Sequence, residues 1–127
     1  MPYVWIALGS ALGGMLRHFV GSAVARSLEA LLGAPQTLAF VGTMFVNVSG
    51  SFAIGALAAF GPAPMVRQLF MIGLLGGYTT FSSFSLQTLE LVREGRWLHA
   101  GGNVLLSVVL SCAAVWLGHL GGVALRR

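Results

Sequence analysis

The residues with the most chemistry to offer lie inside apolar stretches and recur at helical spacing. Thr43, Asn47 and Ser51 stand at i, i+4 and i+8, and so do Asn103, Ser107 and Ser111. That spacing stacks each trio along one face of a helix. Between the two trios, Gly76-Gly77 is followed by Thr79, Thr80, Ser82, Ser83 and Ser85, and Arg17 interrupts the first apolar run. Nearly all of these groups donate hydrogen bonds, and none is a carboxylate. A proton relay or cation path calls for Asp or Glu, whereas donors and an arginine suit an anion. Phe81 and Phe84, three residues apart, share a helical face. Their ring edges carry the positive side of the aromatic quadrupole and could line an anion route, or the pair could simply pack a core.

The elements that position these groups must be membrane helices. Of 127 residues 57% are apolar and 8% charged, and the mean hydropathy is +0.88. A soluble domain of this size could not hide so much apolar surface. Four segments of about 20 apolar residues, the length of a span, account for nearly the whole chain. Seven arginines against three glutamates raise the pI to about 10.7, but they are scattered and form no basic face for nucleic acid. Cys112 is the single cysteine, so it forms no intrachain disulfide and implies no metal cluster. The N-terminus lacks a basic residue ahead of its apolar run and does not read as a cleaved leader. No metal spacing, nucleotide loop or paired nucleophile and base suggests an enzyme.

The spans are expected at about residues 2–25, 37–60, 65–94 and 97–125, giving an all-α, four-helix integral membrane subunit. The first carries Gly9 and Gly13, a spacing that lets helices approach closely. Arg17 either reaches headgroups or needs a partner or cavity. A connector from Arg26 to Gln36 ends in Gly33-Ala34-Pro35, and Gly61-Pro62-Ala63-Pro64 ends the second span. Asn47 reads either as interhelical glue or as a pore group. In the third span Gly73 and Gly77 repeat the small-residue spacing, and the segment from Gly76 to Ser85 reads as a helix broken at membrane depth. Such a break is tolerated only where protein or a wet cavity surrounds it. Glu90 is expected near the interface, paired locally with Arg93 or a neighbour. Gly118 and Gly122 are expected to close the fourth helix.

Orientation signals cancel. The side holding both termini and the loop between spans two and three carries Arg67, Arg126 and Arg127, and the other side carries Arg26, Arg93 and Arg96. A positive-inside difference of zero predicts insertion in both directions. Two copies could then pair antiparallel about an axis in the membrane plane, crossing at the glycine-rich break, which supplies the inverted architecture that larger transporters encode as repeats. The alternative is a single orientation set by a partner.

These residues carry a family resemblance. Gly73-Leu74-Leu75-Gly76-Gly77-Tyr78-Thr79-Thr80-Phe81-Ser82-Ser83-Phe84-Ser85 resembles the third-helix motif of the CrcB/Fluc fluoride channels. Gly13-Gly14-Met15-Leu16-Arg17 resembles that family's first-helix element, Gly42-Thr43 through Asn47 its second-helix element, and Ser107 to Ser111 its last-helix serines. The resemblance spans the chain. It implies an antiparallel, dual-topology homodimer in the bacterial inner membrane that exports fluoride passively. It further implies that Asn47, Phe81, Phe84, Thr43, Ser107 and Ser111 line two fluoride pathways per dimer. Main-chain carbonyls of Gly76 and Thr79 from both subunits would bind a structural sodium ion. Two positions depart from the family pattern: Gln87 stands where Glu is common, and Asn103 where Tyr is common.

Two rivals remain at this point. A small multidrug-type, proton-coupled exporter needs a membrane-embedded carboxylate, for which Glu90 is the nearest match. A non-transporting assembly subunit needs none of the polar stripes to conduct.

Overall fold

The computed structural model describes residues 1–33 and 38–127. Ala34, Pro35 and Gln36 of the expected connector, and Thr37 at the expected start of the second span, lie outside the described residues. Helix α1 runs Pro2–Leu32, α2 Ala39–Ala59 and α6 Trp97–Arg126. The third span, Pro64–Arg93, is composite: α3 (Pro64–Val66), a π-helix π1 (Arg67–Leu75), α4 (Gly76–Tyr78) and α5 (Phe81–Arg93). Four helical segments are thus long and apolar enough to cross a membrane, and no strand occurs among the described residues.

Local chemistry sets these limits. Pro2 opens α1, where its fixed φ is already helical. The helix runs seven residues beyond the expected end at Ala25, because Arg26 to Leu32 contains no breaker and Arg26 Nε donates to the Ser22 carbonyl at 3.2 Å. Gly33 then stops it in the left-handed conformation, φ 62°. At the end of α2, Arg126 Nη1 donates to the Ala59 carbonyl at 3.1 Å, so a cation meets the negative end of the helix. Gly118 and Gly122 do not close α6, which continues to Arg126; both are buried against α2 instead.

Packing pairs α2 with α6, and α1 with π1 and α4. Both contacts rest on missing side chains. A Cβ on Gly118 would run into the Phe52 carbonyl oxygen and one on Gly55 into that of Val115. On the other pair, a Cβ on Gly73 would stand 2.9 Å from the Gly9 Cα, and one on Gly77 2.7 Å from the Ser10 carbonyl. Large apolar side chains such as Leu105, Trp116 and Leu117 point outward, while Thr80, Asn103 and Ser107 are buried. This distribution suits a solvent as apolar as leucine, where close backbone packing and internal hydrogen bonds hold helices together.

Candidate functional site

Helical backbone stops at Tyr78 and resumes at Phe81. Thr79 (φ −79°, ψ 153°) and Thr80 (φ −151°, ψ 117°) between them are extended. Two adjacent β-branched residues favour that geometry. The glycines expected to open the interruption, Gly76 and Gly77, remain helical, so it begins three residues later than their position suggests. Thr80 starts the next helix: its Oγ1 accepts from the Ser83 N–H at 3.2 Å, satisfying an amide that has no helical partner.

Asn47, on α2, holds the interruption in place. Its Oδ1 accepts from the Thr80 N–H at 2.7 Å and its Nδ2 donates to the Thr80 carbonyl at 3.0 Å. The side-chain amide thus pairs with the extended backbone as a neighbouring strand would, which is the glue role weighed for this residue. Diverting these amides has an effect on the carbonyls. In an unbroken helix Thr80 N–H would close onto the Gly76 oxygen and Ser83 N–H onto the Thr79 oxygen. Asn47 and the Thr80 hydroxyl take those donors instead.

A cavity of about 370 Å³ opens beside the interruption. Asn47, Phe81, Phe84, Ser107 and Ser111 all line it, with Ser51, Thr79, Thr80 and Cys112. Phe81 and Phe84 contact each other with ring centroids 5.2 Å apart and planes tilted by 49°. Phe84 is buried at 8% exposure, whereas Phe81 is 76% exposed in the single subunit. Five of the six residues expected to line a pore therefore share one cavity.

Thr43 does not join them. It lines a second cavity of about 390 Å³, bounded by α1, α2 and α5, with Arg17, His18, Ser22, Ser83 and Gln87. Arg17 is half-buried and faces this cavity, the alternative to headgroup contact. Thr80 lines both cavities and so stands between them.

Asn103 is nearly sealed from the surface, at 1% exposure, within a relay of hydrogen bonds. Ser107 Oγ donates to Asn103 Oδ1 (3.2 Å), Asn103 Nδ2 donates to Thr88 Oγ1 (2.9 Å), and Thr88 Oγ1 donates to the Phe84 carbonyl (2.8 Å). This relay ties α6 to α5 directly behind the aromatic pair. The Thr88 contribution has no counterpart in the sequence reading, nor does the bond between Ser49 Oγ and the Tyr78 hydroxyl at 3.0 Å. A tyrosine hydroxyl in an apolar segment must find a partner, and that requirement is the signal that could have found it. Among the described residues Glu90 is not paired with Arg93, and Glu94 and Arg96 form an ion pair at that end, at 3.5 Å. Glu90 is exposed and lines a separate small cavity of about 90 Å³. Among the described residues no three His, Cys, Asp or Glu side chains come together to hold a metal.

Four apolar spans, an interrupted backbone at one of them and a few hydrogen-bond donors set in a mainly apolar recess beside the interruption describe a small multi-pass membrane protein. Residues 4–119 match the family described as CrcB-like protein, Camphor Resistance (CrcB), and the chain belongs to that family. It is 48% identical to a protein of Methylocella silvestris named fluoride-specific ion channel FluC, over all of this chain and 97% of that one. Proteins of the same name from Rhodospirillum rubrum and Paramagnetospirillum magneticum are 46% and 45% identical, over all of this chain and 98% and 99% of theirs.

Proposed function

We propose that this chain forms a fluoride-selective channel that lets the ion leave the cell passively across the bacterial inner membrane. The observation that carries the reading is the gathering of Asn47, Phe81, Phe84, Ser107 and Ser111 around one cavity beside the interrupted helix. Fluoride holds its water tightly, so a pore must replace that shell with donors spaced to bind without trapping. Ser111 and the second amide hydrogen of Asn47 supply such donors in this cavity and Thr43 in the neighbouring one. Ser107 does so when its hydroxyl turns from Asn103, and the edges of Phe81 and Phe84 offer partial positive charge. The name shared by full-length relatives supports the same ion.

The functional unit in this reading is an antiparallel homodimer with two pathways. The exposure of Phe81 supports a second copy over that face, and the balanced arginines support insertion in both directions. The interruption at Thr79-Thr80 is where the copies cross. The residues there fit a structural sodium ion. Gly76 and Thr79 present carbonyl oxygens whose helical donors bond elsewhere, and a hard cation takes oxygen ligands. Such an ion, held by both subunits, would neutralise converging carbonyl dipoles and fix the crossing. The exporter alternative lacks support: Glu90 stands apart from the donor-lined cavity.

Purified protein in liposomes should pass fluoride and exclude chloride. Efflux should be lost when Phe81 or Phe84 becomes Ile or Asn47 becomes Asp. Normal fluoride flux in all three variants would sink the pore assignment, and failure of the unaltered protein to pass any ion would favour the assembly-subunit reading.

A further inference from the structure

The two ends of the helical bundle differ in charge in a way that a count of arginines alone conceals. One end holds Arg26, Arg93 and Arg96, and all three acids of the chain, Glu29, Glu90 and Glu94, lie with them. Side-chain charge there sums to zero, and Glu94 and Arg96 are paired. The contact of Phe40 with His99, ring centroids 6.2 Å apart, fixes the starts of α2 and α6 at this same end. The opposite end holds Arg67, Arg126 and Arg127 and no acidic side chain.

These three arginines are exposed, and in the chain Arg67 follows the turn between α2 and α3 while Arg127 adjoins Arg126. Arg126 is anchored there by its bond to the Ala59 carbonyl, through one of its two terminal nitrogens. Arg67 starts π1 four residues after Ala63, to whose carbonyl its N–H donates at 3.0 Å. Phe60 and Met65, which flank the turn, are 47% and 49% exposed. Basic groups with unspent donors thus share this end of the bundle with exposed apolar side chains, at the level where a spanning helix leaves hydrocarbon. A guanidinium matches two oxygens of a phosphate at once, and an adjoining apolar rim suits the acyl chains below that phosphate.

We propose that this end of the bundle binds the headgroup phosphate of an anionic phospholipid, with Arg67 and Arg127 as its main contacts and Arg126 as the positioned third. The opposite end, electrically balanced, does not select charge. Were the chain inserted in both orientations, each membrane face would carry one such lipid-selective end.

The test compares lipid retained by the purified full chain in mixed vesicles of phosphatidylglycerol and phosphatidylcholine, read by native mass spectrometry without any flux measurement. The unaltered protein should retain phosphatidylglycerol in clear excess. The double variant Arg67→Gln, Arg127→Gln should lose about fivefold in that preference per arginine, the factor corresponding to about 1 kcal/mol for each basic residue at an anionic surface. Arg93→Gln, at the balanced end, should keep it. Equal retention of the two lipids by the unaltered protein, or an equal loss in Arg93→Gln, would overturn the assignment. If the double variant does not fold, salt decides: preference should fall as ionic strength rises, and a preference indifferent to salt refutes the site. Inorganic phosphate should not displace the lipid; complete displacement would mean that the site takes free phosphate, against the proposal. Because fluoride is absent from these measurements, their outcome is independent of the channel reading.

Discussion

Asn47 grips Thr80 by both its amide hydrogen, at 2.7 Å, and its carbonyl oxygen, at 3.0 Å. One side chain on α2 therefore satisfies an extended residue that α5 and α4 leave without helical partners. The same residue lines the cavity, so its structural role and its proposed conducting role separate only by choice of substitution.

Asn47→Leu removes both bonds and strands the Thr80 amide, which should lower stability in detergent by about 1–3 kcal/mol. Asn47→Asp retains the acceptor but turns a carboxylate towards the Thr80 carbonyl and the cavity. It should abolish fluoride efflux even in preparations that still elute as folded protein. Thermal unfolding and a fluoride electrode on liposomes read the two effects apart.

Phe81 and Phe84 touch, yet their exposure differs about tenfold within the subunit. Phe84→Ala should cost about 3–5 kcal/mol of subunit stability through the cavity it leaves. Phe81→Ala should change that stability by no more than about 0.5 kcal/mol, while still removing flux. Equal destabilisation by the two substitutions would contradict the burial pattern described above.

Gly118→Ala drives a methyl group into the Phe52 carbonyl and must part α2 from α6. A loss of about 1–3 kcal/mol is expected from overpacking. Gly101→Ala, on the same helix with open space around it, is the control and should be neutral or slightly stabilising. Thermal melts of the pair in one detergent give the comparison.

Cys112 is the only thiol in the chain and lines the cavity with Phe81 and Ser107. A small methanethiosulfonate reagent should therefore slow fluoride efflux from liposomes, and Cys112→Ser should be insensitive to it. Labelling confirmed by mass, without any change in flux, would place the cavity off the conducting route.

Much of this arrangement was legible in the chain because lipid leaves few options. Apolar runs of spanning length had to be helices, and the recurrence of Asn47 with Ser51, and of Ser107 with Ser111, put donors on common faces. The Gly33-Ala34-Pro35 signal marks the end of the connector but not its start, and with no breaker between Arg26 and Leu32 the first helix runs on to that glycine. Gly76 and Gly77 were read as the start of the interruption from their low propensity. Tertiary packing on Ser10 overrides propensity there, and the chain opens instead at Thr79-Thr80, where Asn47 offers the backbone another partner. That partner lies 33 positions away, beyond the reach of local pattern. Thr43 shares a helical face with Asn47 but lies a turn nearer the start of α2, beyond the reach of the first cavity, so the two stand in different cavities although their spacing joins them.

The wide turns of Arg67–Leu75 have a consequence for the chain's tolerance of change. Each residue of a regular helix advances the azimuth by about 100°, and a π-helical stretch spends extra residues on the same rotation. Tyr78 meets Ser49, and Thr80 meets Asn47, only because this stretch delivers them at the correct phase. Deleting a single residue from it would swing both away from α2 together, whereas most side-chain replacements there would leave the alignment intact. Residue count between the Pro64 turn and the threonine pair is thus as firm a constraint as the identity of any one amino acid in it.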